Sequence, residues 1–255
     1  MFPSVSLNHA VLSRPLVAML HAADRLREEG HAVGFLLVVG EEVDHCGAIR
    51  AAERPYDLGP GATILLGEPT SNRLVSAQKG LLSVTLQAEG QAGHSAFPDR
   101  GVSAIHRLLE TLDGVRREPW PRDPELGATT FNIGRIAGGV ANNVFAPAAS
   151  ANLLFRLVRP VDETLARLRA LLTEGVTLDE VSRNDPLRIE VPPGFETTVV
   201  PFNTDARWLS ALGTVWLCGP GAIEVAHSEH EHMDLPDLER GIETYAALAR
   251  AALGV

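Results

Sequence analysis

Cysteine is scarce in this chain, with Cys46 and Cys218 the only two. Two thiols build no disulfide framework, which points to a reducing compartment and a cytoplasmic location. No apolar run approaches the roughly 18–20 residues of a membrane span, and the N-terminus lacks the basic-then-apolar layout of a secretory leader. Lysine and arginine form no cluster, and the formal net charge is −10. Nucleic acid and anionic lipid both need a concentrated positive face, so neither is an expected partner. No P-loop or Gly-x-Gly-x-x-Gly follows any predicted strand, which argues against a nucleotide-binding fold. Internal repeats and low-complexity tracts are also missing.

What is present is ordinary globular composition, 255 residues of which 45% are hydrophobic and 21% charged. Residues 15–29 have helical apolar spacing, with Pro15 suited to a first turn and Gly30 to the stop. The continuous apolar runs 35–39 and 62–66 predict strands buried on both faces. With a helix over 43–53 between them they would form a βαβ unit of a parallel sheet. Residues 82–88 alternate apolar and polar, as a strand with one wet face does. A helix over 101–113 follows, with Val102, Ile105, Leu108, Leu109 and Leu112 on one side. Strands over 129–136 and 151–157, a helix over 161–175 and a last strand over 187–191 complete a ferredoxin-like α+β pattern. A Pro-containing loop region over 192–206 leads to a strand at 215–217 and a helix over 236–253. The chain therefore reads as an α/β domain built from 1–78 and 191–255, interrupted by an α+β module over 79–190.

Functional residues of open α/β sheets gather beyond the carboxyl ends of strands. Glu41 and Glu42 follow the first predicted strand, and Glu68, in Gly67-Glu68-Pro69-Thr70, follows the second. Adjacent glutamates are usually just solvated, and a Gly/Pro-flanked glutamate is an ordinary loop residue. At neighbouring strand ends, however, one carboxylate can hold a metal while another serves as general base. Residues 226–232 (AHSEHEH) add three histidines, which read either as an exposed polar loop or as a source of imidazole ligands. Mixed imidazole and carboxylate donors suit Zn²⁺, with Mn²⁺ or Co²⁺ as alternatives.

Further motifs occur in a fixed order. They are Gly47-Ala48 after the glutamate pair, Lys79-Gly80, GHSAFPDRG at 93–101 and GGVANNV at 138–144. Phe155-Arg156, PFNTD at 201–205, Gly219-Pro220-Gly221, and His227 with Glu231 follow. Together with the acidic turns, these pieces resemble the zinc aminoacylase/exopeptidase family that includes acetylornithine deacetylase, succinyl-diaminopimelate desuccinylase and carboxypeptidase G. The resemblance implies a mostly parallel catalytic domain with an inserted dimerisation, or lid, domain and a homodimer formed through 79–190. It implies hydrolysis of an amide bond in an N-acyl amino acid or a short peptide. Glu41 then resembles the general base, Glu42 and His227 the ligands of one zinc, and Glu68 a ligand of the other. His94 resembles the histidine that reaches the partner subunit's site and stabilises the tetrahedral oxyanion. Asn143, Arg156 and Gly221 resemble substrate-binding positions, Arg156 being suited to a carboxylate.

The family pattern also includes a His-x-Asp motif and a bridging aspartate, and neither precedes Glu41; the aligned position of the aspartate falls near Val11. A shortened reading frame and a genuine loss of function both produce this pattern. Catalytic zinc normally has three protein ligands and a water, and two ions roughly 3.5–4 Å apart repel without a bridging carboxylate. The expectation is weak binding of at most one metal and little hydrolysis, with His9, Asp44 and His45 the conceivable stand-in ligands. The competing expectation is an inactive dimeric remnant that binds a ligand or partner.

Overall fold

The computed structural model describes residues 10–56, 58, 61–226, 228–229 and 231–255, with side chains from Arg14 onward. Along the chain, α1 (Ala10–Glu28) precedes a long irregular stretch and the short helix α2 (Cys46–Ala52). The strands β1 (Thr63–Gly67), β2 (Leu74–Gln78) and β3 (Gly80–Glu89) come next. Then follow α3 (Ala104–Arg117), β4 (Thr130–Gly138), β5 (Ala148–Leu157), α4 (Val161–Leu171) and β6 (Val176–Asn184). The chain finishes with β7 (Leu187–Arg188), β8 (Thr197–Val200), α5 (Ala206–Leu209), β9 (Thr214–Cys218) and α6 (Leu235–Leu253). It divides into two units, one of Met1–Ser76, Arg188–Val200 and Thr204–Val255, the other of Ala77–Leu187 with Pro201–Asn203.

In the first unit β1 and β9 pair in parallel, from Thr63 opposite Thr214 to Gly67 opposite Cys218. Helices α1 and α6 cover them through Ala18, Ala22, Tyr245 and Ala246, joined by Met19, Leu65, Leu238 and Ile242. Leu74, Trp216, Cys218 and Leu248 form a second apolar cluster. Helix α1 begins earlier than its stop and start signals predict, so Pro15 lies inside it, where its ring removes one helical hydrogen bond.

The predicted strand at 35–39 does not form. Residues 31–40 are irregular, and Phe35, Leu36, Leu37 and Val39 are 45%, 42%, 72% and 73% exposed. An apolar strand is stable in a sheet when neighbours satisfy its backbone and cover its faces. Among the described residues no strand pairs with this run, and the predicted βαβ unit is absent with it.

The second unit carries a four-stranded antiparallel sheet of order β4-β5-β3-β6. Strands β3 and β5 pair over their whole length, from Gly80 opposite Leu157 to Glu89 opposite Ala148. Gly80, Leu82, Val84, Leu86 and Ala88 are buried in strict alternation along β3, as its sequence period requires. Two helices lie on that face, α3 through Ala104, Leu108, Leu112 and Val115, α4 through Val161, Leu165 and Leu168. Ser103 caps α3 by accepting the His106 amide. Phe155 stacks on Phe131 at 5.3 Å and meets Trp120 edge-on at 5.1 Å.

Two details depart from the sequence reading. Leu109 is 51% exposed, because Leu108 takes the inward position and its neighbour is turned by about 100°. The fourth strand of the module is 176–184, not 187–191, and it is mostly exposed. Asp179, Glu180 and Arg183 hide its strand character while blunting the sheet edge, a use of charge typical of edge strands. Leu187–Arg188 joins a three-stranded sheet of order β8-β2-β7 instead. The stretch read as loop over 192–206 contains β8 and leads directly into α5.

Candidate active site

Glu68 emerges directly from the carboxyl end of β1 and is only 6% exposed. Its loop is tied to the one that follows β9. Gly219 O accepts the amides of Thr70 and Asn72, and Gly221 O accepts that of Ser71 at 2.7 Å. A side chain at 219 would meet Glu68 O at 2.5 Å and the Tyr245 hydroxyl at 2.7 Å. Glycine at 219 therefore permits the two strand ends to close on each other. Gly221, with φ +89°, sits in this same turn beside the Glu68 loop. Beneath them Tyr245 donates to Cys218 O at 2.6 Å. Burial pushes the Cys218 thiol up to about 12, so this cysteine is an inert packing residue.

Glu41 and Glu42 lie in a turn over 41–44, the first half-buried and the second exposed. The amides of Val43, Asp44 and His45 all point to Gly40 O, at 3.2, 3.0 and 2.7 Å. Gly40 adopts φ +82° at the start of this turn. The turn lies in the field of Glu68. Burial holds the Glu68 carboxyl well above the usual glutamate range, and the negative charges of Glu41, Asp205 and Glu42 push it further. Four carboxylates thus share one electrostatic neighbourhood at the end of β1. Asp205 is 2% exposed and bonds His45 Nδ1 at 2.8 Å.

The sequence reading left Asp205 without a role, although it sits in the PFNTD segment. A single acid in a loop region carries no signal of such a role, and the helix α5 that follows it is itself absent from the sequence pattern. His45, raised only as a stand-in ligand, is bound instead to Asp205.

An excess of buried and half-buried carboxylates fits a divalent cation in charge and donor type. Among the described residues, however, no three His, Cys, Asp or Glu side chains converge closely enough to hold one. Glu42 and Glu68 are the described candidates; His227 lies outside the described residues.

The remaining candidates belong to the second unit. His94 forms a bridge with Val144, the Ser95 amide bonds Asn143 O at 2.9 Å and the Phe145 amide bonds Gly93 O. These contacts bring His94 and Asn143 onto adjoining exposed loops. The Ala96 amide donates to His94 Nδ1 at 3.2 Å, so the neutral ring carries its proton on Nε2 and presents a donor outward. Phe97 packs edge-on against the ring at 5.9 Å. Arg156 is half-buried on β5. Near it Lys79, 8% exposed, donates to Ala128 O at 2.5 Å. Burial, then the charges of Arg122 and Arg156, hold the Lys79 ammonium below its usual value.

Residues 76–177 match the family model described as the peptidase dimerisation domain. A probable carboxypeptidase of Aspergillus terreus is 34% identical over 89% of this chain and 59% of its own length. A probable carboxypeptidase of Aspergillus clavatus is 36% identical over 87% of this chain and 55% of its own. The chain thus spans somewhat over half the length of these curated relatives. Among solved structures, aminopeptidase PepT of Bacillus cereus superposes with a TM-score of 0.72 at 20% identity, over 94% of this chain and 70% of that one. A Staphylococcus aureus tripeptidase also gives 0.72, at 18% identity, over the same shares of the two chains. At such identities the structural likeness speaks for the fold.

Proposed function

Since this chain belongs to the exopeptidase/aminoacylase family that carries a peptidase dimerisation domain, we propose that it is a metal-dependent amidohydrolase. Its substrates would be N-acyl amino acids or short peptides. The observation that carries this reading is the burial of Glu68 among Glu41, Glu42 and Asp205. A folded chain keeps such a cluster at a cost that a bound cation offsets.

In this reading Glu42 and His227 hold one ion, Zn²⁺ in first place, and Glu68 is a ligand of the other metal position. A cation bound there would polarise the scissile carbonyl and acidify water. Glu41, half-buried and within the field of Glu68, takes the proton of the attacking water and passes it to the leaving amine. His94 offers its Nε2 proton to the oxyanion developing in the partner subunit's site, with Asn143 as a neighbouring contact. Arg156 receives a substrate carboxylate, and the Gly221 backbone lines the site. The chain would act as a cytoplasmic homodimer through 79–190. Its ion would be weakly held, at most one per chain, and turnover would be slow.

A second reading is favoured by the lack of three converging donors among the described residues: an inactive dimeric remnant. Zinc titration by calorimetry, with hydrolysis of an N-acetyl amino acid and dipeptide panel, separates the two. One zinc per chain with slow turnover abolished by Glu41→Gln supports the enzyme. A stable dimer with neither binding nor turnover supports the remnant.

A further inference from the structure

His45 occupies a backbone conformation that L side chains rarely adopt, with φ +57° and ψ +21°. Such a conformation persists where the surroundings over-determine it. Here the determinants are side-chain contacts. His45 Nδ1 lies 2.8 Å from Asp205 Oδ1, with the two side chains 16% and 2% exposed. The imidazole also stacks on Trp208, with ring centroids 4.2 Å apart and planes inclined by 29°. His45 immediately precedes α2, and Asp205 immediately precedes α5, in which Trp208 lies. One hydrogen bond and one ring stack therefore join the leading ends of two short helices.

The acidic turn hangs from this junction. Glu41 and Glu42 stand four and three residues before His45, and the segment before them is irregular and largely exposed. The turn's base is closed by backbone bonds onto Gly40 O and by the Gly47 amide onto Val39 O at 2.9 Å. These bonds fix the shape of the turn, not its place in the fold. The link to Asp205 and Trp208 ties it to the segment that also contributes the Asp205 charge felt by Glu68.

We propose that His45 is a positioning residue that, through Asp205 and Trp208, holds the Glu41-Glu42 turn in register with Glu68. This deepens the hydrolase reading and rests on it for its functional consequence. Residues that orient metal-binding groups at one remove typically change metal affinity by about 10–100-fold when removed.

Two variants of the full chain test it. His45→Gly suits the backbone conformation but removes the anchor. His45→Asn also tolerates that conformation and places an amide donor where Nδ1 stands. Hydrogen exchange should show the amides of 43–47 losing protection about tenfold in His45→Gly and largely keeping it in His45→Asn, with β3 and β5 unchanged. The zinc dissociation constant should weaken about tenfold in His45→Gly and recover in His45→Asn. Unchanged exchange in His45→Gly overturns the proposal. So does altered exchange with unchanged zinc affinity, since the anchor would then hold the turn without placing its carboxylates. If the wild-type chain binds no zinc, the hydrolase reading and this positioning role both fall, and exchange still shows separately whether His45 anchors the turn.

Discussion

The two units of this protein solve the same problem to different degrees. The second unit has a four-stranded sheet with two helices on one face and an aromatic cluster of Trp120, Phe131 and Phe155 at one side of its core. Its exposed strand, β6, is polar and charged. The first unit has a two-stranded parallel sheet covered by α1 and α6, most of the three-stranded sheet β8-β2-β7, and an apolar run, 33–39, that stays largely in solvent. Burying apolar surface stabilises by about 25 cal/mol per Å², so the first unit forgoes stabilisation that its own sequence could supply. Strand-forming composition is one requirement for a strand, and a neighbour to pair with is a separate one.

The sharpest way to break this contrast is to remove the aromatic centre of the better-packed unit. Phe155→Ala should cost about 3–5 kcal/mol, with the second unit lost before the first in urea, as followed by hydrogen exchange of β3 and β5 against that of α6. A single shared transition would show instead that the two units unfold together.

A smaller effect is expected in the first unit, with a definite dependence on pH. The folded-state value of Glu68 lies above the ordinary 4.5. The stability it contributes is therefore present below that ordinary value and lost as pH rises through the folded one. Glu68→Gln removes the ionised form, so in the presence of chelator it should raise Tm at pH 8 by about 2–4 °C and leave it nearly unchanged at pH 4. Equal effects at both pH values would show that Glu68 is not a buried charge.

The smallest effect should come from the exposed run. Leu37→Ser is expected to change stability by no more than about 0.5 kcal/mol while reducing binding of a hydrophobic dye. A loss of several times that size would mean that 35–39 is buried in solution, and the contrast between the units would weaken.

Legibility followed the same divide. The period-2 pattern of β3 and the helical stripes of α3 and α4 were readable, because each element lies between solvent and one core. Strand β6 was not, since Asp179, Glu180 and Arg183 interrupt the apolar alternation that Val176 and Leu178 begin. The 35–39 run gave a strand signal of the right composition, and its failure has a physical source that no local window contains. Pairing is a property of two segments. Leu109 shows a finer limit, because a stripe two residues wide does not say which of them faces in.

At the site, the sequence order of Glu41, Glu42 and Glu68 was enough to nominate an acidic cluster, as was Glu68's place at a strand end. Neither the burial of Glu68 nor the presence of Asp205 among these charges could be read from spacing, because Asp205 stands 137 positions further on, as the numbering of the two residues gives. His94 and Asn143 were likewise nominated separately, and the backbone bonds between 93–95 and 143–145 are what join them.

By itself, then, the sequence determined the residue types, the helices and strands that have one apolar face, and the family to which the chain belongs. Those depend on local periodicity and on motif order, both of which are written along the chain. The tertiary structure decided which apolar runs find partners, which acids share a field, and that a histidine in a strained turn is held by a distant aspartate. Burial and charge proximity act through space, and a linear pattern carries no measure of either.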